Sequence, residues 1–163
     1  MMNNKRKIYK FKEILKETSV PTVMNDERTY HLSSIKRRNG GFFDRELKRG
    51  KEILTKTLSK VIPGSFVISK MQVVHGACAI APKDIGERYI SNSYISFISK
   101  DESILDIDYL YGYSHTKKSY DSFLKSSFGV HIEKMTFKVE QWLGKSIELP
   151  TIEEQKKVIR IIK

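Results

Sequence analysis

The sequence predicts an α+β fold, a single domain in which a twisted, mostly antiparallel sheet is followed by helices. Short apolar runs rich in β-branched residues alternate with turn signals up to about residue 98, a pattern typical of antiparallel strands. From residue 107 onwards, apolar residues recur at helical spacing instead. The length of 163 residues fits one domain, and such a chain can bury a core without disulfides or metal ions.

The first part of the chain carries most of the predicted strands. Residues 11–15 predict one or two helical turns, which end before Pro21 because a residue preceding proline is pushed out of the helical region. Residues 30–35 predict a strand, and residues 36–41 predict a hairpin turn because their Asn-Gly pair tolerates a positive φ. Residues 47–58 mix basic and apolar side chains and leave a helix and an irregular loop both open. Further strands are predicted at residues 65–70, 72–75, 89–90 and 94–98.

The last third of the chain predicts two helices and a strand between them. A long helix is predicted over about residues 106–128, and Gly129 provides its C-cap. The aromatic stripe of this helix, which includes Tyr120, is interpreted as core. Residues 142–149 predict the strand. The final helix begins at Thr151, with glutamates in its first turn and basic residues near its end, as the helix dipole favours.

Positive charge is concentrated at the start of the chain. The net charge is +11; residues 1–60 hold 16 basic and 7 acidic side chains, whereas residues 61–163 hold 14 and 12. A local excess of cations creates a positive field, and nucleic acid is the most abundant polyanion in a cytoplasm. The charge distribution therefore favours a nucleic-acid partner, with a merely solvated basic surface as the alternative.

Motifs for catalysis and metal binding are missing from the sequence. Residues 144–146, Gly-Lys-Ser, resemble the end of a phosphate-binding loop, but Val139 stands where the first glycine belongs. The four histidines have no zinc-ligand spacing, and Asp106 and Asp108 are interpreted as the acidic start of a helix. We therefore expect a protein without enzyme activity and without a cofactor.

The cellular location is predicted from three features. The sequence has no run of about 18 apolar residues that could span a membrane. Its N-terminus lacks the apolar stretch of a secretory signal. The lone Cys78 lies in an apolar run, can form no internal disulfide and is interpreted as a small core residue. A cytoplasmic protein is expected.

A family resemblance is carried by residues 147–158, Ile-Glu-Leu-Pro-Thr-Ile-Glu-Glu-Gln-Lys-Lys-Val. This stretch resembles the Leu-Pro-Pro-Leu-x-Glu-Gln-x-x-Ile signature that closes each target-recognition domain in type I restriction-modification specificity subunits and opens their coiled-coil helix. Thr151 stands where the family commonly has a second proline. Residues 61–70 are similar to the family's proline-glycine-aspartate strand segment, with Ser65 in place of the acid. Later landmarks agree in the same order: Gly76, residues 91–93, and the helix that ends at Gly129.

The resemblance implies one target-recognition domain, residues 1–149, followed by the beginning of the spacer and dimerisation helix, residues 150–163. In that family, two such domains each read one half of a split site in double-stranded DNA. The helices between them set the spacing and dock methyltransferase subunits, through which the restriction subunit joins; the specificity subunit itself has no catalytic residues. A chain that stops at Lys163 is then a half-subunit, a truncated product or an excised domain, with a second specificity half or another copy of itself as partner.

Basic and amide side chains supply the predicted DNA contacts. The hairpin turn is predicted to protrude and to read bases, because guanidinium groups suit guanine and a side-chain amide suits adenine; a solvated turn with idle charges is the alternative. The base-reading candidates there are Lys36, Arg37, Arg38 and Asn39, with Lys70 and Gln72 at a nearby strand end. The phosphate-contact candidates are Arg45, Lys48, Arg49, Lys51 and Lys56.

The final helix is predicted to bind a protein partner. Its isoleucine and valine content exceeds what a short surface helix can cover alone. The candidates are Gln155, Val158, Ile159 and Ile162. Two other functions stay open: a small metal-dependent nuclease, and a stand-alone nucleic-acid-binding protein that stacks single-stranded DNA or RNA on its tyrosines.

Overall fold

The computed structural model of the chain describes residues 5–162, and within that range the strands form two larger sheets and two short ribbons. The strands are β1 (Lys7–Lys10), β2 (Leu15–Glu17), β3 (Val20–Val23), β4 (Thr29–Lys36), β5 (Gly41–Arg49), β6 (Thr57–Lys60), β7 (Phe66–Ser69), β8 (Cys78–Ile80), β9 (Tyr89–Ile90), β10 (Tyr94–Ser99), β11 (Ser127–Phe128), β12 (Thr136–Phe137) and β13 (Ser146–Leu149). The helices are α1 (Phe11–Ile14), α2 (Ile107–Tyr113), α3 (Lys117–Lys125), α4 (Val139–Leu143) and α5 (Ile152–Ile162).

The five-stranded sheet has the order β3-β6-β9-β4-β5. Its pairs are antiparallel except for β4 and β9, which run parallel where Leu32 lies opposite Tyr89. Strands β4 and β5 form a long hairpin, and β5 lies at the edge of the sheet. The predicted α+β fold with a mostly antiparallel sheet is confirmed.

The four-stranded sheet, of order β2-β10-β7-β8, is antiparallel throughout and supports the main core. Every residue of β7 is buried, which explains why this strand reads as a continuous apolar run rather than an alternating one. Trp142 of α4 is the centre of the core: its ring stacks on Phe11 at 4.2 Å and on Phe123 at 5.5 Å between centroids. Aromatic pairs of this kind add to the free energy gained from burial alone.

The long helix predicted for residues 106–128 is wrong, because the chain forms α2 and α3 with a break between them. Polar side chains cause the break. The Thr116 hydroxyl donates to the carbonyl of Tyr113 and accepts the backbone N–H of Ser119, so it ends one helix and caps the next. Gly129 is not a C-cap either: α3 ends at Lys125, and Gly129 follows β11.

Three other segments differ from their predicted structure or resolve an alternative. Residues 73–75 form a 3₁₀ turn instead of a strand, because the chain must reverse between β7 and β8, and Gly76 ends the turn at φ 79°. Residues 142–143 belong to α4, and only β13 of the strand predicted there is formed. The undecided residues 47–58 contain the end of β5, a 3₁₀ turn and the start of β6.

Helix α5 packs on the same core and is anchored by Gln155. This side chain is fully buried; its amide oxygen accepts the backbone N–H of Asp106, and its amide nitrogen donates to the carbonyls of Ile104 and Pro150. Thr151 caps the helix by accepting the backbone N–H of Glu154. The threonine that replaces a proline of the family signature thus has its own role at the helix N-terminus.

Candidate nucleic-acid interface

The turn of the β4–β5 hairpin is a tight type I′ turn. Arg38 and Asn39 both have a φ of 56°, and the backbone N–H of Gly40 donates to the carbonyl of Arg37 at 3.1 Å. Positive φ costs a non-glycine residue about 1–3 kcal/mol, so the surrounding structure must hold this conformation. The sequence correctly predicted a hairpin turn here.

The hairpin turn is docked, not protruding as predicted. The backbone N–H of Arg38 donates to the carbonyl of His75 at 2.6 Å, and that of Asn39 donates to the carbonyl of Gly76 at 3.1 Å. A Cβ at Gly76 would lie 3.0 Å from the Asn39 nitrogen, so glycine is required for the close approach. The side chains of the turn are therefore carried on a fixed backbone.

A third segment, the loop of residues 129–135 between β11 and β12, joins the same surface. The Arg37 guanidinium donates to the carboxylate of Glu133 at 2.9 Å, across 96 positions of sequence. The His75 ring hydrogen-bonds to the carbonyl of Ile132 at 3.1 Å and lies 3.8 Å from the Glu133 carboxylate. The Arg37 hydrogen bond and charge, with a smaller effect of His75, hold the pKa of Glu133 below its usual range.

We call the hairpin turn, the 72–76 segment and the 129–135 loop together the tip cluster. Beside it, a cleft of about 200 Å³ is lined on one side by Arg38, Asn39 and His75. The break between α2 and α3 supplies the other side, with polar side chains that sequence reasoning had not selected: Ser114, His115, Thr116 and Tyr120. Tyr120 is 40% exposed, so its assignment to the core was wrong.

The phosphate-contact candidates of β5 lie farther along the same hairpin. Arg45 is the extra residue of a β-bulge, since Asp44 lies opposite Ser33 and Glu46 lies opposite Leu32. Four residue steps separate Arg45 from the start of β5, about 14 Å at the usual rise of a strand. Arg45 and Lys48 together line a second cleft, of about 210 Å³.

The remaining basic candidates differ in how far they are already paired. Lys56 donates to the carbonyl of Gly50 at 2.9 Å and lies 3.4 Å from Asp26, so it secures its own turn. Arg49 lies 3.5 Å from Glu27. Arg45 pairs with Glu46 at 3.1 Å, whereas neither Lys48 nor Lys51 has a carboxylate partner among residues 5–162. The Lys36 ammonium group lies 5.1 Å from the centroid of the Phe43 ring.

Gln72 belongs to the 72–76 segment of the tip cluster, and Lys70 lies just before this segment. The Lys70 carbonyl accepts the N–H of Phe137 and so holds the 129–135 loop at its base. The Gln72 carbonyl accepts the N–H groups of His75 and Ala77, and its side chain is exposed. Both residues thus lie at the tip cluster, and their contact with bases stays a prediction.

An ion pair between Arg88 and Asp44 stabilises β5 of the hairpin. The Arg88 guanidinium donates to both carboxylate oxygens of Asp44, at 2.7 and 3.3 Å, and Ser33 donates to the same group at 3.1 Å. The hydrogen bond from Arg88 holds the pKa of Asp44 below its usual range, although partial burial opposes the shift. These bonds therefore fix the backbone of β5 directly before the bulged residue Arg45.

The partner-binding candidates of α5 are divided by the fold. Gln155 and Ile159 are buried against the domain itself, so their assignment to a partner surface is corrected. Val158 is 40% exposed and Ile162 is 60% exposed, and Ile161, which was not selected, is 81% exposed. Ile162 also approaches Gly112 of α2, where a Cβ would lie 3.0 Å from its terminal methyl group.

Between residues 5 and 162, no three His, Cys, Asp or Glu side chains converge as a metal site would require. No helix of this part of the chain combines the length and apolar character needed to cross a membrane. Burial raises the pKa of the Cys78 thiol to about 11, which leaves it protonated at neutral pH and unsuited to act as a nucleophile.

The comparison with family models indicates which class of protein the chain belongs to. Residues 2–163 match the model of the type I restriction modification DNA specificity domain. The chain belongs to this family. The family resemblance read from the sequence is therefore confirmed, and a DNA specificity domain agrees with the expectation of a protein without enzyme activity.

Solved structures share the fold of this specificity domain. The HsdS subunit from Thermoanaerobacter tengcongensis superposes with a TM-score of 0.72 at 12% identity, over 96% of this chain and 41% of its own. A structure described as the basis of complex assembly and conformational transition of the type I R-M system gives the same values. The S subunit from M. genitalium gives a TM-score of 0.64 at 10% identity, over 99% and 39%. The chain thus spans about two fifths of the length of these relatives. No curated protein matches it.

Proposed function

We propose that this specificity domain binds double-stranded DNA and reads one half of a split target site for a type I restriction-modification system. The observation that carries the proposal is the tip cluster. Its three segments are distant in sequence, yet hydrogen bonds from Arg38, Asn39 and His75 fix them as one surface. Base reading needs donors and acceptors held in place, because an ordered group loses little entropy on binding.

In this proposal the turn of the hairpin contacts bases, and residues farther along the hairpin contact phosphates. Arg38 and Asn39 on the docked turn contact base edges, for which a guanidinium and an amide are suited. Arg45, Lys48 and Lys51, about four or more residue steps away along the hairpin, contact phosphates and supply affinity that falls with salt. Lys56 contributes less, because its ammonium group is already bonded to Gly50 and close to Asp26.

The stacking alternative finds little support in the tyrosines. Tyr30 and Tyr89 are buried and contact each other edge to face, with ring centroids 5.1 Å apart. A base can stack only on an exposed ring face. Tyr120 is the tyrosine that is half-exposed beside the tip cluster, and one ring does not make a platform for a strand.

We further propose that residues 150–163 begin the spacer helix and that the exposed edge of α5 meets a protein. Val158 and Ile161 project apolar surface from a helix whose other face is held by Gln155 and Ile159. The proposed partners are methyltransferase subunits, through them the restriction subunit, and a second specificity half or another copy of this chain. Ile161→Lys leaves the buried face of α5 intact and is expected to abolish the association of the chain with these partners, as measured by sedimentation. Lys157→Glu changes an exposed residue of the same helix and serves as the control.

Selection from a pool of random duplexes tests the DNA proposal. The selected duplex is expected to bind more tightly than a scrambled duplex and than either of its single strands. Its affinity should fall about 40-fold between about 50 and 200 mM salt, as the neutralisation of three phosphates requires. Equal affinity for selected and scrambled duplexes, or cleavage of a plasmid by the pure chain, contradicts the proposal.

A further inference from the structure

The 129–135 loop presents an apolar side chain where the proposed function needs polar ones. Val130 is 92% exposed, and Ile132 is 49% exposed beside it. Valine at such a position gains nothing from the fold, because its side chain is left in water. The loop nevertheless has a tightly packed path: a Cβ at Gly129 would lie 2.7 Å from the carbonyl oxygen of Lys134.

Contacts from both sides fix the loop against the tip cluster. At its base, Ser127 and Phe128 pair with Phe137 and Thr136 across the β11–β12 ribbon. At its far end, the Ile132 carbonyl is bonded to the His75 ring, and Glu133 is bonded to Arg37. Val130 therefore belongs to a loop whose far end is bonded to the hairpin turn and to the 72–76 segment, which are proposed to meet the bases.

The chemistry of the major groove offers one apolar group to such a side chain. Of the four bases, thymine alone carries a methyl group there, at C5, and aliphatic side chains discriminate it by van der Waals contact. The setting favours DNA over a protein partner for Val130. Exposed His131 and Lys134 lie in the same loop, and Glu133 of this loop is paired with Arg37 of the hairpin turn.

We propose that Val130 is a specificity-determining residue that reads the 5-methyl group of a thymine in the target half-site. This proposal rests on the proposed DNA-binding function. The methyl contact buries roughly one methyl group, and removing it should weaken binding about fourfold.

Deoxyuridine provides the test, because it differs from thymidine by the 5-methyl group alone. The duplex selected with the wild-type chain is resynthesised with deoxyuridine at one thymine position at a time. The wild type is expected to lose about fourfold in affinity at one position. Val130→Ala should bind the thymine duplex about fourfold more weakly and should no longer distinguish the two duplexes.

Val23→Ala is the matched control, since it removes the same two methyl groups from a 74% exposed valine on β3. It should keep the thymine preference of the wild type. A wild type that is indifferent to deoxyuridine at every position overturns the proposal, as does a Val130→Ala variant that loses affinity for both duplexes alike or weakens only a protein complex. In those cases the selected duplex still outcompetes its scrambled version. If no duplex is selected, the proposed function itself fails.

Discussion

The backbone N–H of Arg38 lies 2.6 Å from the carbonyl oxygen of His75 and thereby fastens the hairpin turn to the segment that joins β7 to β8. Next to it, Asn39 donates to Gly76. Both residues of the turn that have a positive φ are thus bonded at their own amides. The position of the candidate base-reading side chains is therefore set by a glycine outside the hairpin.

Gly76→Ala should detach the turn. Alanine is strained at a φ of 79°, and its methyl group would press on Asn39, so we expect the free energy of unfolding to fall by about 1–3 kcal/mol. Discrimination between selected and scrambled duplexes should fall as well. Gly144→Ala is the control: Gly144 has a φ of −82°, and the nearest atom to its Cβ would be 3.6 Å away. Equal effects of the two changes in urea unfolding and in binding would refute the role of Gly76.

Glu133→Gln should loosen Arg37. The carboxylate competes with DNA phosphates for this guanidinium, so its removal is expected to raise affinity for scrambled duplexes more than for the selected duplex. Glu140→Gln makes the same change of charge on an exposed residue of α4 and serves as the control. In the Arg37→Ala background, Glu133→Gln should have only the effect of the control. Competition titrations of the wild type and the four variants decide the matter, and an effect that survives in the Arg37→Ala background speaks against the pair.

Gln155→Leu should destabilise the chain although it removes no DNA contact. Leucine has a similar size but leaves the N–H of Asp106 and the carbonyls of Ile104 and Pro150 buried without partners, which should cost about 2–4 kcal/mol. The exposed Gln141 on α4 provides the control, Gln141→Leu, which should lie within about 0.5 kcal/mol of the wild type. Chemical denaturation measures both, and similar values would contradict the anchoring role.

Asp44→Asn should lower stability in a manner that depends on pH. Because Arg88 lowers the folded-state pKa of Asp44 below the ordinary value of 3.8, the carboxylate contributes stability above that value and loses it as the pH falls through the folded-state pKa. At pH 7 the loss should be at most about 1 kcal/mol, since the pair is partly exposed. The difference between variant and wild type should disappear in strong acid. Asp84→Asn makes the same change on an exposed residue and serves as the control.

The sequence could predict what depends on neighbouring residues. The Asn-Gly pair after β4 predicts a hairpin, and the Leu-Pro-Thr segment followed by two glutamates predicts the start of α5, because turn and capping preferences act over a few positions. The closing signature was also sufficient to indicate the family. These signals are local, and the structure forms the hairpin and the helix that they predict.

Features that depend on distant residues could not be predicted in this way. The Arg37–Glu133 pair joins positions that no spacing rule relates, and the docking of the turn needs the close approach at Gly76. The break at Thr116 carried a local signal, a run of Ser-His-Thr, but the continuous aromatic stripe on both sides outweighed it. Gln155 was assigned to a partner with the rest of the final helix, because of the isoleucine and valine content of that helix. Its contacts with Asp106 and Ile104 join positions that are distant in sequence.

The central claim, that one hairpin reads bases at its turn and holds phosphates along β5, is tested most directly by comparing Arg38→Gly with Lys48→Ala. Glycine keeps the positive φ at position 38, so the arginine side chain is lost while the turn is kept. Affinities of both variants for the selected and the scrambled duplex are measured as salt is raised. Arg38→Gly should lower discrimination by about 5- to 150-fold. Lys48→Ala should weaken both duplexes alike and reduce the salt slope by about one. If the two variants lose the same affinity for both duplexes with the same salt slope, the division of the hairpin into a reading end and an anchoring side is wrong.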